Sequence, residues 1–139
     1  MTATHIPASL QRRVRMRAVD RCEYCRLPQH GQEATFHVDH VTPIRQGGPT
    51  TLDNLALACV SCSLRKGART HAPDPTGSGE LVRLFHPRRD SWPDHFTIRD
   101  DGVIESATAI GGVTIEALAL NRLTAVAIRS ERIVLDRYP

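Results

Sequence analysis

Residues 36–43 read Phe36-His37-Val38-Asp39-His40-Val41-Thr42-Pro43. They stand between two cysteine pairs, Cys22-Glu23-Tyr24-Cys25 and Cys59-Val60-Ser61-Cys62. These four cysteines are all that the 139-residue chain contains. Two residues between paired cysteines let both thiolates point into one site, each about 2.3 Å from a zinc ion, and two such knuckles complete a tetrahedron. A closed four-sulfur set leaves no position for a substrate water. Its work is structural: it brings together the ends of a segment of roughly 40 residues. The alternative, a pair of disulfides, needs an oxidising compartment. Residues 1–17 lack the basic-then-apolar order of a secretory signal, and no apolar run approaches the roughly 20 residues that span a bilayer. The expectation is a cytoplasmic protein with no membrane association. Cys22, Cys25, Cys59 and Cys62 are then reduced and hold a structural Zn2+.

The segment framed by the knuckles carries the chemistry. Residues 34–41 are rich in β-branched and aromatic types and predict a strand that Pro43 ends. Adjacent strand residues point to opposite faces, so Asp39 and His40 share a site only if the chain turns or bulges there. A carboxylate can hold a hard divalent cation. An imidazole with a pKa near neutrality can take a proton from water. Together they suit hydrolysis of a phosphodiester, the metal lying on a non-bridging oxygen and the leaving oxygen. An Asp-His pair alone equally describes a hydrogen-bonded structural couple.

The wider context is more specific. Phe36 to Pro43, Gly47-Gly48, Asp53-Asn54-Leu55, and Cys59-x2-Cys62-x3-Lys66-Gly67 follow one another at spacings that resemble the zinc-knuckle HNH endonucleases over residues 22–67. That resemblance implies the ββα-metal (His-Me finger) fold: two antiparallel strands and a helix around one catalytic divalent metal, Mg2+ or another. It implies His40 as general base, Asp39 as a ligand of the catalytic metal, and Asn54 as the residue that orients His40. Arg65, Lys66 and Arg69 would contact DNA phosphates, against a plain reading of ordinary solvation. There is one departure. After the fourth cysteine the family usually has Asn or His as the second protein ligand of that metal, and here the residue is Ser63. A hydroxyl is a weaker ligand. His37, two residues before Asp39 on the same strand face, is the nearest compensating candidate; its other reading is packing or a structural hydrogen bond.

Charge divides the chain unevenly. Residues 1–70 hold ten Lys or Arg against five Asp or Glu, and residues 71–139 eight against ten; Lys66 is the only lysine. Arginine's planar donor fork matches phosphate oxygens two at a time, so a basic half suggests a polyanionic partner, DNA by the resemblance. Arg12, Arg13, Arg15 and Arg17 lie on a predicted helix from Leu10 to about Val19, capped by Ser9, either as a solvated back or as phosphate contacts.

The expected organisation is a nuclease core over 1–70, a Pro- and Gly-rich linker over 71–80, and an extension over 81–139. In the extension, Asp100-Asp101-Gly102 predicts the turn of a β-hairpin. Two helices follow, Thr114 to Leu120 and Leu123 to about Tyr138. Leu84-Phe85-His86-Pro87-Arg88, Trp92-x2-His95-Phe96 and Ala117 to Arg122 resemble an extension found in a bacterial subset of HNH proteins. Leu123, Val126, Ala127, Ile133 and Val134 read as the core face of the last helix or as a dimer seam. The expected class is α+β, an HNH core with a four-cysteine zinc knuckle and a hairpin–two-helix extension. The expected activity is metal-dependent DNA cleavage, the alternative being a non-cleaving DNA-binding zinc module of the same fold. Paired cuts in a duplex would be easiest for a homodimer.

Overall fold

The computed structural model describes residues 5–135. The first helix, α1, spans Ala8–Arg17 and begins before Ser9. Its start is fixed by Pro7, whose carbonyl accepts the Leu10 and Gln11 amides at 3.0 Å; proline at a helix start gives up no needed N–H. Val14 and Ala18 anchor the helix in the core. Arg15 donates to the Phe36 carbonyl (3.0 Å), and Arg17 to those of Leu52 (2.8 Å) and Leu55 (2.6 Å). These two arginines therefore tie α1 to the next two strands, while Arg12 and Arg13 remain exposed.

Strand β1 (His37–His40) pairs antiparallel with β2 (Leu55–Ala58), placing His40 opposite Leu55 and His37 opposite Ala58. All four residues of β2 are buried. Helix α2 (Val60–Lys66) follows directly and packs on both strands. This is the ββα unit of the HNH fold, on an α+β framework of three two-stranded antiparallel sheets and five helices among the described residues.

The segment 71–80, expected as a linker, opens with a strand. β3 (His71–Pro73) pairs with β4 (Leu81–Arg83). Ala72 is buried with Leu84 and Val113 in a small second core, which holds the strand in place, and Pro73 sits at its end, where a missing N–H is tolerated. A short helix, α3 (Trp92–His95), leads into the expected hairpin, β5 (Phe96–Ile98) and β6 (Ile104–Ser106). Gly102 turns that hairpin at φ 86°, and a Cβ there would collide with the Val126 carbonyl of the last helix.

Helix α4 (Ala109–Ala117) starts five residues earlier than expected, because the Thr108 side chain caps it by accepting the Gly111 amide at 3.0 Å. Helix α5 spans Leu123–Val134; residues 136–138 of the expected helix lie outside the described residues. The core alternative fails for two of the five expected residues. Leu123 and Val134 are 88% and 78% exposed, and the buried side chains are Ala125 and Arg129. One main core runs from Val14 through Leu55 and Leu57 to Phe85, Trp92, Phe96, Leu118 and Ala125, so both halves of the chain share it. Among the described residues no helix is long and apolar enough to cross a membrane.

Candidate metal centre and active site

The two knuckles are built alike. In each, the amide of the second cysteine donates to the sulfur of the first: Cys25 to Cys22 at 3.5 Å and Cys62 to Cys59 at 3.4 Å. Cys59 is also the N-cap of α2, where the helix dipole favours a thiolate. The four Sγ atoms are buried and lie within 4.8 Å of one another. Cys25 and Cys59 sulfurs are 3.7 Å apart, close to the separation of about 3.8 Å that tetrahedral bonds of 2.3 Å to zinc impose. Hydrogen bonds from Cys22, Cys25 and Cys62 hold the Cys59 thiol far below its ordinary range. The donor set and spacing fit a structural zinc knuckle and no disulfide pairing.

Arg122, just before α5, completes this centre. Its Nη2 lies 3.4 Å from the Cys59 sulfur and 3.7 Å from that of Cys25. Burial opposes its charge, yet Cys25, Cys62 and Cys59 hold the guanidinium protonated above its ordinary value. Zinc with four thiolates carries a net charge of about −2, and Arg122 offsets part of it where water cannot. No local pattern marks this residue, because the sulfurs it faces are 63 and 97 positions away.

Asp39, His40 and Ser63 line one open cleft of about 630 Å³ together with Arg45. Strand β1 stops at His40, and the chain bends at Val41–Thr42; both neighbours reach the same space. Nε2 of His40 is 2.8 Å from the Thr50 hydroxyl. Burial draws the His40 imidazole below its ordinary 6.5, with Asp39 opposing. Nδ1 of His37 is 2.8 Å from the Ser63 hydroxyl, so the candidate ligand and its candidate substitute meet each other.

Asn54 is buried. Its amide donates to the Thr42 and Pro49 carbonyls at 2.9 Å, and its oxygen accepts the Thr42 amide at 2.9 Å. It thus braces the loop that carries Thr50, reaching His40 through that loop. Gly48 belongs to the same brace: a Cβ there would collide with the Thr42 carbonyl and crowd the Asn54 amide.

The expected phosphate contacts separate. Arg65 and Arg69 are exposed, Arg65 bonded to Ser61 (3.2 Å) and Arg69 to the Arg65 and Ala117 carbonyls (2.6 and 3.3 Å). Lys66 is 3% exposed and donates to the Val41 carbonyl at 2.8 Å. Its ammonium is spent under the end of β1, which corrects its expected place on the DNA backbone. Arg45, in the short 3-10 turn Ile44–Gln46, is exposed in the cleft and makes no hydrogen bond or ion pair among the described residues. His95 bonds the Thr108 hydroxyl (2.7 Å).

Comparison with known proteins agrees with this geometry. Residues 22–69 match the family model of the HNH endonucleases. The Septu protein PtuA of Bacillus mycoides (strain KBAB4) is 29% identical over a match of 108 residues that covers 71% of this chain. That match spans only 15% of the relative's length. No solved structure matches the chain. Such a domain points to a nuclease or nucleic-acid-related activity. With its knuckles at both ends and its strands and helix between them, the segment 22–69 is an HNH endonuclease domain.

Proposed function

We propose that this protein is a metal-dependent endonuclease that hydrolyses phosphodiester bonds in DNA. The observation that carries the reading is the meeting of Asp39, His40 and Ser63 in one open cleft with the exposed Arg45. Asp39 holds a divalent ion, Mg2+ or a similar cation. Such ions keep several waters and bind through one or two carboxylates plus substrate phosphate, so a sparse donor set suffices. When bound, such an ion would supply Lewis-acid stabilisation of the charge that develops at the phosphate. In the tautomer that donates from Nε2 to Thr50, His40 keeps the Nδ1 lone pair for the proton of the attacking water. Asn54 fixes the loop and with it the ring. Arg45, Arg65 and Arg69 meet phosphates along the strand. In this reading residues 1–70 are the nuclease core and residues 81–139 a unit packed on it, and a homodimer would set two sites for a double-strand cut.

A second reading is a zinc module that binds DNA without cutting it. The hydrogen bond between Ser63 and His37 favours it, because it occupies both side chains that could supplement Asp39. Supercoiled plasmid incubated with zinc-loaded protein and Mg2+, Mn2+ or Ni2+ separates the two. The nuclease reading expects nicking that His40→Ala abolishes while DNA binding persists. Binding without nicking under every metal establishes the second reading instead. Full activity in His40→Ala would remove His40 as the base.

A further inference from the structure

A second cavity of about 400 Å³ is lined by residues of the ββα unit and of the β3–β4 hairpin, and its Val41, Thr42, Gln46 and Lys66 are chain neighbours of cleft residues His40, Pro43, Arg45 and Gly67. Its volume is within the roughly 300–1,000 Å³ of sites that take a small molecule. Val41, Leu84 and Phe85 lie beneath it as an apolar floor, each 4% exposed or less. Lys66, Arg83 and Arg89 add cations, and no carboxylate lines it. Two of those cations are committed. Lys66 is bonded to the Val41 carbonyl, and Arg83 holds Asp90 at 2.6 and 2.9 Å. The Arg89 guanidinium is exposed and makes no hydrogen bond or ion pair among the described residues.

An apolar slot with a cationic rim fits a nucleobase with its phosphate. A base pair stacked in a duplex cannot enter a cavity of this size, whereas a single unstacked base can. Val41 directly follows His40, and two residues of chain reach at most about 7 Å, so the cavity adjoins the proposed point of cleavage. The geometry points to this cavity as the seat of one unstacked nucleotide of the substrate strand, its base in the cavity and its phosphate on Arg89. This rests on the nuclease reading and narrows it: the substrate is single-stranded or locally opened at the cut.

The test uses the full zinc-loaded chain carrying His40→Ala. It is titrated with a labelled single-stranded oligonucleotide and with the duplex of the same sequence; thymidine 5′-monophosphate and inorganic phosphate serve as competitors. The single strand is expected to bind more tightly than the duplex. Arg89→Ala should weaken it roughly tenfold and reduce the salt slope by about one. Thr70→Trp, which fills the cavity from its rim, should weaken it similarly, and the mononucleotide should compete where inorganic phosphate does not. Strand affinity that survives both substitutions overturns the proposal. So does competition by the mononucleotide at a site whose variants leave strand binding unchanged, since the cavity would then serve free nucleotide. Either failure leaves plasmid nicking by the His40 protein untouched, so the nuclease reading would stand. Conversely, strand binding that responds to Arg89→Ala without nicking under any metal would keep the cavity and lose the nuclease.

Discussion

Ser63 lies on α2 and lines the cleft with Asp39, and its hydroxyl is 2.8 Å from Nδ1 of His37. A hydroxyl already engaged by an imidazole has little to offer a metal. On the nuclease reading, Ser63→Asn supplies an amide oxygen at that place. The divalent-ion concentration for half-maximal nicking should fall about tenfold, the scale on which partners of metal ligands act. An unchanged metal titration would take Ser63 away from the ligand position. Asn54 presents the opposite case, a residue whose polar atoms are all used. Asn54→Ala strands the Thr42 amide and the Thr42 and Pro49 carbonyls, groups that are costly to leave unpaired. A loss of about 2–4 kcal/mol in urea unfolding is expected. A loss below about 1 kcal/mol would mean that water replaces the amide and the brace is not rigid.

Among the elements, the loop from β4 to α3 is set by one carboxylate. Asp90 accepts both Arg83 nitrogens and the His86 amide, and the Arg83 hydrogen bonds lower its carboxyl from the ordinary 3.8 to about 2. A lowered folded pKa stabilises above the unfolded value and is lost as pH falls through the folded one. Asp90→Asn should therefore destabilise the protein by about 1 kcal/mol at neutral pH, discounted for the half-exposed Arg83. Measured as stability against pH, the parent should lose this increment between about pH 4 and 2, and the variant should not. Elements of this kind mark where the sequence was legible. The knuckles, the Asp-His pair and the Asp-Gly hairpin announce themselves because each is decided within a few residues. The face of α5 does not. Apolar periodicity chose Leu123 and Val134, but beneath the helix lie the carbonyls of Gly102, Cys25 and Leu120, and these accept Arg129 at 2.7, 3.1 and 2.8 Å. Lys66 turned inward for the same reason, toward the Val41 carbonyl. Buried acceptors brought in by distant segments have no local signature, so residues that satisfy them look like surface residues in the sequence.

At the scale of the whole molecule, the zinc knuckle is the joint between the two halves. From the C-terminal half, Arg88 pairs with Glu23 inside the first knuckle, the Trp92 ring nitrogen donates to the Tyr24 carbonyl at 2.9 Å, and Arg129 donates to the Cys25 carbonyl. Arg122 adds the cation that faces the sulfurs. If the knuckle opens, these contacts lose their geometry together, and the shared core loses the wall that Tyr24 and the cysteines provide. Removal of zinc by a strong chelator should therefore unfold the hairpin and α5 along with the ββα unit, since binding energy at a structural zinc site is folding energy. Trp92 is the only tryptophan and sits in the C-terminal half against the first knuckle. Its emission should shift to the red at the same chelator concentration at which far-ultraviolet dichroism is lost. Two separate transitions would show that the halves fold independently. Arg122→Met then isolates the electrostatic part. It keeps most of the side-chain volume but leaves the charge of the zinc–thiolate cluster less compensated. Zinc transfer to a chromogenic chelator should accelerate roughly tenfold, the scale of a lost partner to a metal site, and Arg122→Lys should recover part of the difference. Equal rates in Met and Lys variants would assign Arg122 to packing alone.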